Sequence, residues 1–73
     1  MIKSDVKLGK NVVIHHPNQV NLYGCTIGEG TSIGAFVEIK KTAIVGRNCK
    51  LQAMVYIPDG ATVLGNPAKV LKK

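Results

Sequence analysis

Two adjacent histidines, His15 and His16, are the residues of this chain best suited to acid–base chemistry. They are its only histidines, and an imidazole titrates near neutral pH, so either ring is a candidate general base. The structural alternative is a solvated turn, because His15-His16-Pro17 also has the composition of an exposed corner. Metal binding is less favoured, since adjacent residues of an extended chain point to opposite sides. We therefore retain both histidines as candidate catalytic residues and expect no metal.

The other reactive side chains do not form a recognisable constellation. Four carboxylates are present, without the spacing of an acid–base pair: Asp5, Glu29, Glu38 and Asp59. Cys25 and Cys49 lie 24 residues apart, and the repeat described below places both on inward positions but on different sides. A disulfide needs close, aligned Cβ atoms, so we predict two buried free thiols. The sequence contains no phosphate-binding loop, zinc-finger spacing or serine triad.

Composition limits the class of protein and its partners. The chain has 73 residues, 45% of them hydrophobic and 4% aromatic, which predicts one small folded domain without a core of large rings. A net charge of +6 indicates an anionic partner. Nucleic acid is disfavoured, because the lysines are scattered and there is no recognition helix or aromatic platform. Short apolar runs and the lack of a recognisable signal peptide predict no membrane insertion and a cytoplasmic location.

A six-residue period organises the chain. Aliphatic residues recur at this spacing without a break: Ile27, Ile33, Ile39, Val45, Leu51, Ile57 and Val63. Small or β-branched residues lie two positions before each of them: Cys25, Thr31, Val37, Ala43, Cys49, Val55 and Ala61. Turn-forming residues such as Gly28-Glu29-Gly30 and Pro58-Asp59-Gly60 fill the intervals. The repeating unit is therefore a short strand followed by a three-residue corner.

Three such units close a coil of 18 residues, and stacked coils form a parallel β-helix. We predict one β-helix domain over residues 1–73, with coils at 6–24, 25–42 and 43–60 and an exit segment at 61–73. Stacking would place Ile27 beside Val45 and Val63, and Ile39 beside Ile57. A β-sandwich or barrel is disfavoured because it would show hairpin turns at wider spacing. The first coil is irregular, with a bulged corner at 15–19 and a pinched corner at 23–24.

The predicted stack leaves apolar side chains on its surface. Phe36 and Met54 fall in one corner column beneath the histidines, and Val13, Ile44 and Tyr56 point outward from strands. Exposed apolar clusters usually mark interfaces. A three-sided prism offers equivalent faces around an axis, so we predict a homotrimer. Pro67 is expected to end regular pairing, with Lys69 to Lys73 as a basic tail.

The segments Ile27-Gly28-Glu29-Gly30-Thr31 and Ile33-Gly34-Ala35-Phe36-Val37 resemble the hexapeptide-repeat acyltransferases. The resemblance implies an all-β, left-handed parallel β-helix. Residues 6–50 are similar to bacterial nucleotide-sugar N-acetyltransferases, which implies acetyl transfer from acetyl-CoA to an amino sugar on a nucleotide-sugar. The exit resembles the family motif beside the CoA site, which implies CoA binding by Gly65, Asn66, Pro67, Ala68 and Lys69, with Lys69 near a phosphate. His15 or His16 would then be the base.

The chain departs from this family in length. Family enzymes have several more coils, and here an N-terminal segment meets a C-terminal segment around 51–56. The chain therefore resembles an internally shortened acyltransferase. The alternative is a non-catalytic minimal β-helix scaffold, natural or engineered, that self-associates without enzymatic activity. From the sequence, whether the protein is an enzyme stays open.

Overall fold

The computed structural model describes residues 1–65 and 68–72, and the side chains of residues 1–65 and of Ala68. Within these ranges the chain forms eleven short strands and one 3-10 turn, η1 (Pro17–Gln19). The strands are β1 (Lys7–Leu8), β2 (Val13–Ile14), β3 (Asn21–Leu22), β4 (Thr26–Ile27), β5 (Ser32–Ile33), β6 (Glu38–Ile39), β7 (Ile44–Val45), β8 (Lys50–Leu51), β9 (Tyr56–Ile57), β10 (Thr62–Gly65) and β11 (Ala68–Lys72). Nothing helical in the described ranges has the length and apolar character needed to span a bilayer.

The strands form three sheets that make the sides of a prism. Sheet 1 has the order β1-β4-β7-β10-β11, sheet 2 the order β2-β5-β8, and sheet 3 the order β3-β6-β9. All pairings except β10 with β11 are parallel, and Ile27 pairs with Val45, which pairs with Val63. Ile39 likewise pairs with Ile57. The predicted all-β parallel β-helix and its register are therefore confirmed, while the left-handed coil sense stays a prediction.

The core follows directly from the six-residue period. The aliphatic residue of each unit from Ile27 to Val63 is at most 1% exposed, because alternate residues of a strand share a face. The small residue two positions earlier completes the interior without crowding it. Cys25 and Cys49 are buried free thiols on different sides, as predicted.

Each corner of the second and third coils turns through one residue with positive φ. This backbone conformation recurs every six residues at Gly30, Phe36, Thr42, Asn48, Met54 and Gly60. Glycine and asparagine accept it readily, whereas residues with larger side chains rarely do. The corner between sheets 2 and 3 is unusual, because Phe36 and Met54 hold this position there.

Two features of the chain ends were not predicted from the sequence. Ile2 forms a parallel bridge with Leu22 and extends sheet 3 by one layer. At the other end, β11 pairs antiparallel with β10, so the prediction of a basic tail is wrong for residues 69–72. Ala68 packs against the core from this hairpin. The predicted break at Pro67 lies outside the described residues, as does Lys73.

Thr31 links the second coil to the third through two hydrogen bonds. Its hydroxyl, on a side chain that is 0% exposed, donates to the Gly46 carbonyl at 2.7 Å and accepts from the Cys49 amide at 3.2 Å. Thr31→Val keeps the shape but leaves both backbone groups unpaired, which is expected to lower the free energy of unfolding by about 1–3 kcal/mol. Urea unfolding measures this loss. Thr26→Val, at an exposed strand position, is the matched control, and an equal loss in both variants would contradict the assigned role.

Candidate functional site

The candidate catalytic residues lie on one corner column of the prism, which we call the histidine corner: residues 15–19, 34–36 and 52–54. The layers of this column are joined by backbone hydrogen bonds, from the Phe36 amide to the Gln19 carbonyl and from the Met54 amide to the Ala35 carbonyl, each 2.9 Å. The predicted stacking of Phe36 and Met54 beneath the bulge is therefore confirmed. Both histidines are exposed.

The bulge arises from a break in the six-residue period. Leu22 follows Ile14 by eight residues instead of six, so the corner must accommodate additional chain. Pro17 begins the 3-10 turn that takes up this length, and the Gln19 amide closes it by donating to the His16 carbonyl at 2.9 Å. The His15 amide still donates to the Ile33 carbonyl at 3.1 Å, so the bulge is anchored to the second coil.

The imidazoles are not paired with an acid in the described part of the chain. The one ion pair recorded there joins Glu38 and Lys40 at 3.6 Å, and the Lys40 ammonium also lies 4.9 Å from the centre of the Tyr23 ring. Both side chains of the ion pair are more than a third exposed, so it adds little stability. The Lys40–Tyr23 contact was not predicted from the sequence, because it depends on how side chains of adjacent coils meet. Among the described side chains, no group of three or more potential metal ligands occurs.

The predicted CoA-binding residues lie elsewhere on the prism. Gly65 ends β10 with φ 107° and pairs with Ala68, the first residue of β11, while the Lys69 backbone pairs with Leu64. Asn66, Pro67 and the Lys69 side chain are outside the described parts. This hairpin belongs to sheet 1, whereas the histidine corner lies between sheets 2 and 3. In one chain, Gly65 and Ala68 therefore lie on a different side of the prism from the histidine corner.

Cys25 is expected to make the free energy of unfolding decrease at alkaline pH. Burial raises the pKa of its thiol, and the nearby Asp5 carboxylate raises it further. Above the unfolded thiol's pKa of about 8.5, the folded thiol stays protonated while the unfolded one ionises. The folded state then binds more protons, so the free energy of unfolding should fall as pH rises from the unfolded to the folded pKa. Urea midpoints between pH 7 and 10 should decline more steeply in the wild type than in Cys25→Ala, and parallel declines would contradict this coupling.

The six-residue repeat of this chain is also found in known bacterial transferases. The model described as "Bacterial transferase hexapeptide (six repeats)" matches residues 24–59. The acyl-[acyl-carrier-protein]–UDP-N-acetylglucosamine O-acyltransferase of Brucella ovis is 40% identical over 55 residues, which is 75% of this chain and 19% of that enzyme. The corresponding Brucella abortus enzyme has the same identity and coverage. The chain thus spans about a fifth of the length of these relatives.

Solved structures show the same fold. Serine acetyltransferase isoform 3 from Entamoeba histolytica, solved with cysteine, matches with a TM-score of 0.56 at 19% identity, over 99% of this chain and 38% of that one. A truncated serine acetyltransferase apoenzyme matches with a TM-score of 0.50 at 20% identity, over 92% and 41%. Identities this low support the fold alone. The family match over residues 24–59 and the 40% identity over 55 residues to the Brucella enzymes both support a hexapeptide-repeat acyltransferase.

Proposed function

We propose that this chain transfers an acyl group from a thioester donor to a sugar carried on a nucleotide. The observation that carries the proposal is the 40% identity, over 75% of the chain, to enzymes named for acylating UDP-N-acetylglucosamine. Those enzymes are named for an acyl carrier protein donor. For this chain we propose acetyl-CoA as donor and an amino sugar as acceptor, as its own sequence motifs imply. We likewise propose a cytoplasmic location for this reaction.

The proposed chemistry uses one imidazole of the histidine corner. His15 or His16 removes a proton from the acceptor amine or hydroxyl as that atom attacks the thioester carbonyl. The carbon–sulfur bond then breaks, the acyl group stays on the acceptor, and the imidazolium returns the proton to the leaving thiolate. The Gly65-to-Lys69 segment would hold the CoA phosphates, with Lys69 as a positive point charge.

The proposed active unit is a homotrimer. Gly65 and Ala68 lie on a different side of the prism from the histidines, so we propose that a groove between neighbouring copies brings the two predicted sets of residues together. Exposed apolar side chains on the lateral surface support association, notably Val13 at 47%, Ile44 at 52% and Tyr56 at 56% exposed. The second candidate function is a non-catalytic self-associating scaffold. The exposed apolar side chains support this alternative as well, because it requires self-association alone.

A transfer assay separates the two candidate functions. The chain is incubated with acetyl-CoA, or with an acyl carrier protein thioester, plus UDP-N-acetylglucosamine or a UDP-linked amino sugar, and the acylated product is measured by mass spectrometry. The His15→Ala/His16→Ala double variant should lose about 10²- to 10⁴-fold in rate. Asn18→Ala, in the same exposed corner, should keep the wild-type rate. A folded wild-type protein that forms no product with any pair would overturn the enzyme proposal in favour of the scaffold.

A further inference from the structure

The two ends of the prism are closed to different extents. At one end, β11 pairs with β10 and covers the last edge of sheet 1. At the other end, the first residues of the chain cover sheet 3: the Lys3 amide donates to the Leu22 carbonyl at 3.0 Å, and the Leu22 amide donates to the Met1 carbonyl at 2.8 Å. Within the described ranges, no strand pairs with the outer edge of β1 or β2. The first coil is therefore closed along one of its three sides.

The uncovered edge of β1 exposes a core residue together with unpaired backbone. Leu8 holds the inward position that Ile27 and Val45 hold in the next coils, but it is 47% exposed and they are 1% exposed. The Lys7 and Gly9 amides donate to the second coil at 2.9 and 2.8 Å. Because successive amides of a strand alternate in direction, the amide and carbonyl of Leu8 point toward the open end. An edge of this kind is a template for one more strand.

This open end of the prism is basic. Lys3, Lys7 and Lys10 are all exposed. The one acid among the first 20 residues is Asp5, and its carboxylate accepts a hydrogen bond from the Gly24 amide at 3.0 Å. A second copy stacked end to end would set these lysines against their own counterparts, which is repulsive. A lipid surface would leave the Leu8 amide without a hydrogen-bond partner. The charge and the free edge together favour an acidic polypeptide.

We propose that the outer edge of β1 binds an extended acidic segment of a partner protein, which adds one strand to sheet 1. Aliphatic and acidic residues alternate in this segment. Because alternate residues of a strand share a face, an aliphatic side chain covers Leu8 while the adjacent carboxylates lie on the outer face, beside Lys7. The cover that Met1 to Lys3 form over Leu22 shows that an extended segment fits this end of the prism. The proposal is independent of acyl transfer, because neither β1 nor its lysines belong to the histidine corner or to the predicted CoA-binding segment.

A charge-reversal pair tests the location of the proposed site. The probe is a short, fluorescently labelled peptide of alternating glutamate and valine, and anisotropy measures its dissociation constant. Lys7→Glu should raise this constant about tenfold or more, because the new charge repels the peptide. Lys50→Glu makes the same change of net charge at an exposed strand position of the third coil and should stay within about twofold of the wild type. Equal losses in the two variants would overturn the placement at β1.

Modified peptides test whether the probe binds as an added strand. A peptide with serine in place of valine loses the contact with Leu8, and a peptide with every backbone amide N-methylated keeps its charges but cannot donate to the strand edge. Each should bind about tenfold more weakly or worse. In hydrogen exchange followed by NMR, the Leu8 amide should be protected only when the unmodified peptide is bound.

Three results would overturn the proposal. Equal binding of the N-methylated peptide would reduce the interaction to charge attraction alone. Protection of the Leu8 amide at high protein concentration without peptide would mean that a second copy covers the edge. Binding to vesicles that contain phosphatidylserine, with no binding of the peptide, would assign the basic end to a lipid surface.

Discussion

Gly28→Ala is expected to lower the free energy of unfolding by about 3 kcal/mol, at the upper end of the usual cost of overpacking. An added Cβ would lie 2.7 Å from the carbonyl carbon of Gly46 and 2.8 Å from both the Gly46 oxygen and the Arg47 nitrogen. All three atoms belong to the backbone of the next coil. Backbone atoms cannot rotate away as side-chain atoms can. The second and third coils must therefore move apart, which weakens the pairing of β4 with β7.

Gly46→Ala is the matched control. The atoms nearest to its added Cβ are the flexible end of the Leu64 side chain and, at 3.6 Å, the Cys49 sulfur, so the neighbour can move aside. Urea unfolding at fixed protein concentration should give a much larger loss for Gly28→Ala than for Gly46→Ala. Equal losses would mean that the close approach of backbones at this corner does not limit the spacing of coils.

Ile39→Ala is expected to lower the free energy of unfolding by about 3–4 kcal/mol. Ile39 is 0% exposed and lies between Leu22 and Ile57 in the middle layer of sheet 3. Truncation leaves a cavity that cannot collapse, because backbone pairing fixes the coils on either side of it. A domain of this size has a total stability of about 4–11 kcal/mol, so the variant should be largely unfolded near physiological temperature.

Ile44→Ala provides the comparison for the same residue type. Its side chain is 52% exposed on sheet 1, and truncation there should change stability by about 0.5 kcal/mol or less. Thermal unfolding at one protein concentration measures both variants, since assembly would otherwise shift the midpoints. A loss at Ile44 as large as that at Ile39 would contradict the assignment of inward and outward positions.

Much of the fold could be predicted because the six-residue period is local and repeated. The series from Ile27 to Val63 determines which residues point inward, and coils of equal length then determine which of them stack. The pairing of the two chain ends was not predicted, and the reason differs between the two ends. The Ile2 bridge continues the spacing of Leu8 and Ile14 and could have been found from it. The β10–β11 hairpin could not, because an antiparallel return has no counterpart in the repeat and Pro67 indicated an end.

The site was less predictable than the fold. The bulge that carries His15 and His16 is visible as a break in the period, and the structure places it at an exposed corner. No local sequence pattern identifies the group that would orient an imidazole, because that group is set by contacts between distant residues or between copies. The positive φ angles of Phe36 and Met54 were not predicted either, because the hydrophobic pattern of a corner does not determine its backbone conformation.

Sedimentation equilibrium with and without acetyl-CoA tests most directly whether the active site is shared between copies. A shared groove predicts a species of three times the 7.8 kDa chain mass that binds acetyl-CoA. Acetyl-CoA should also stabilise this species, because a ligand that binds only the assembled state shifts the equilibrium toward it. A folded monomer that persists at high protein concentration, with or without acetyl-CoA, would contradict it, because a groove between copies would then have no second wall.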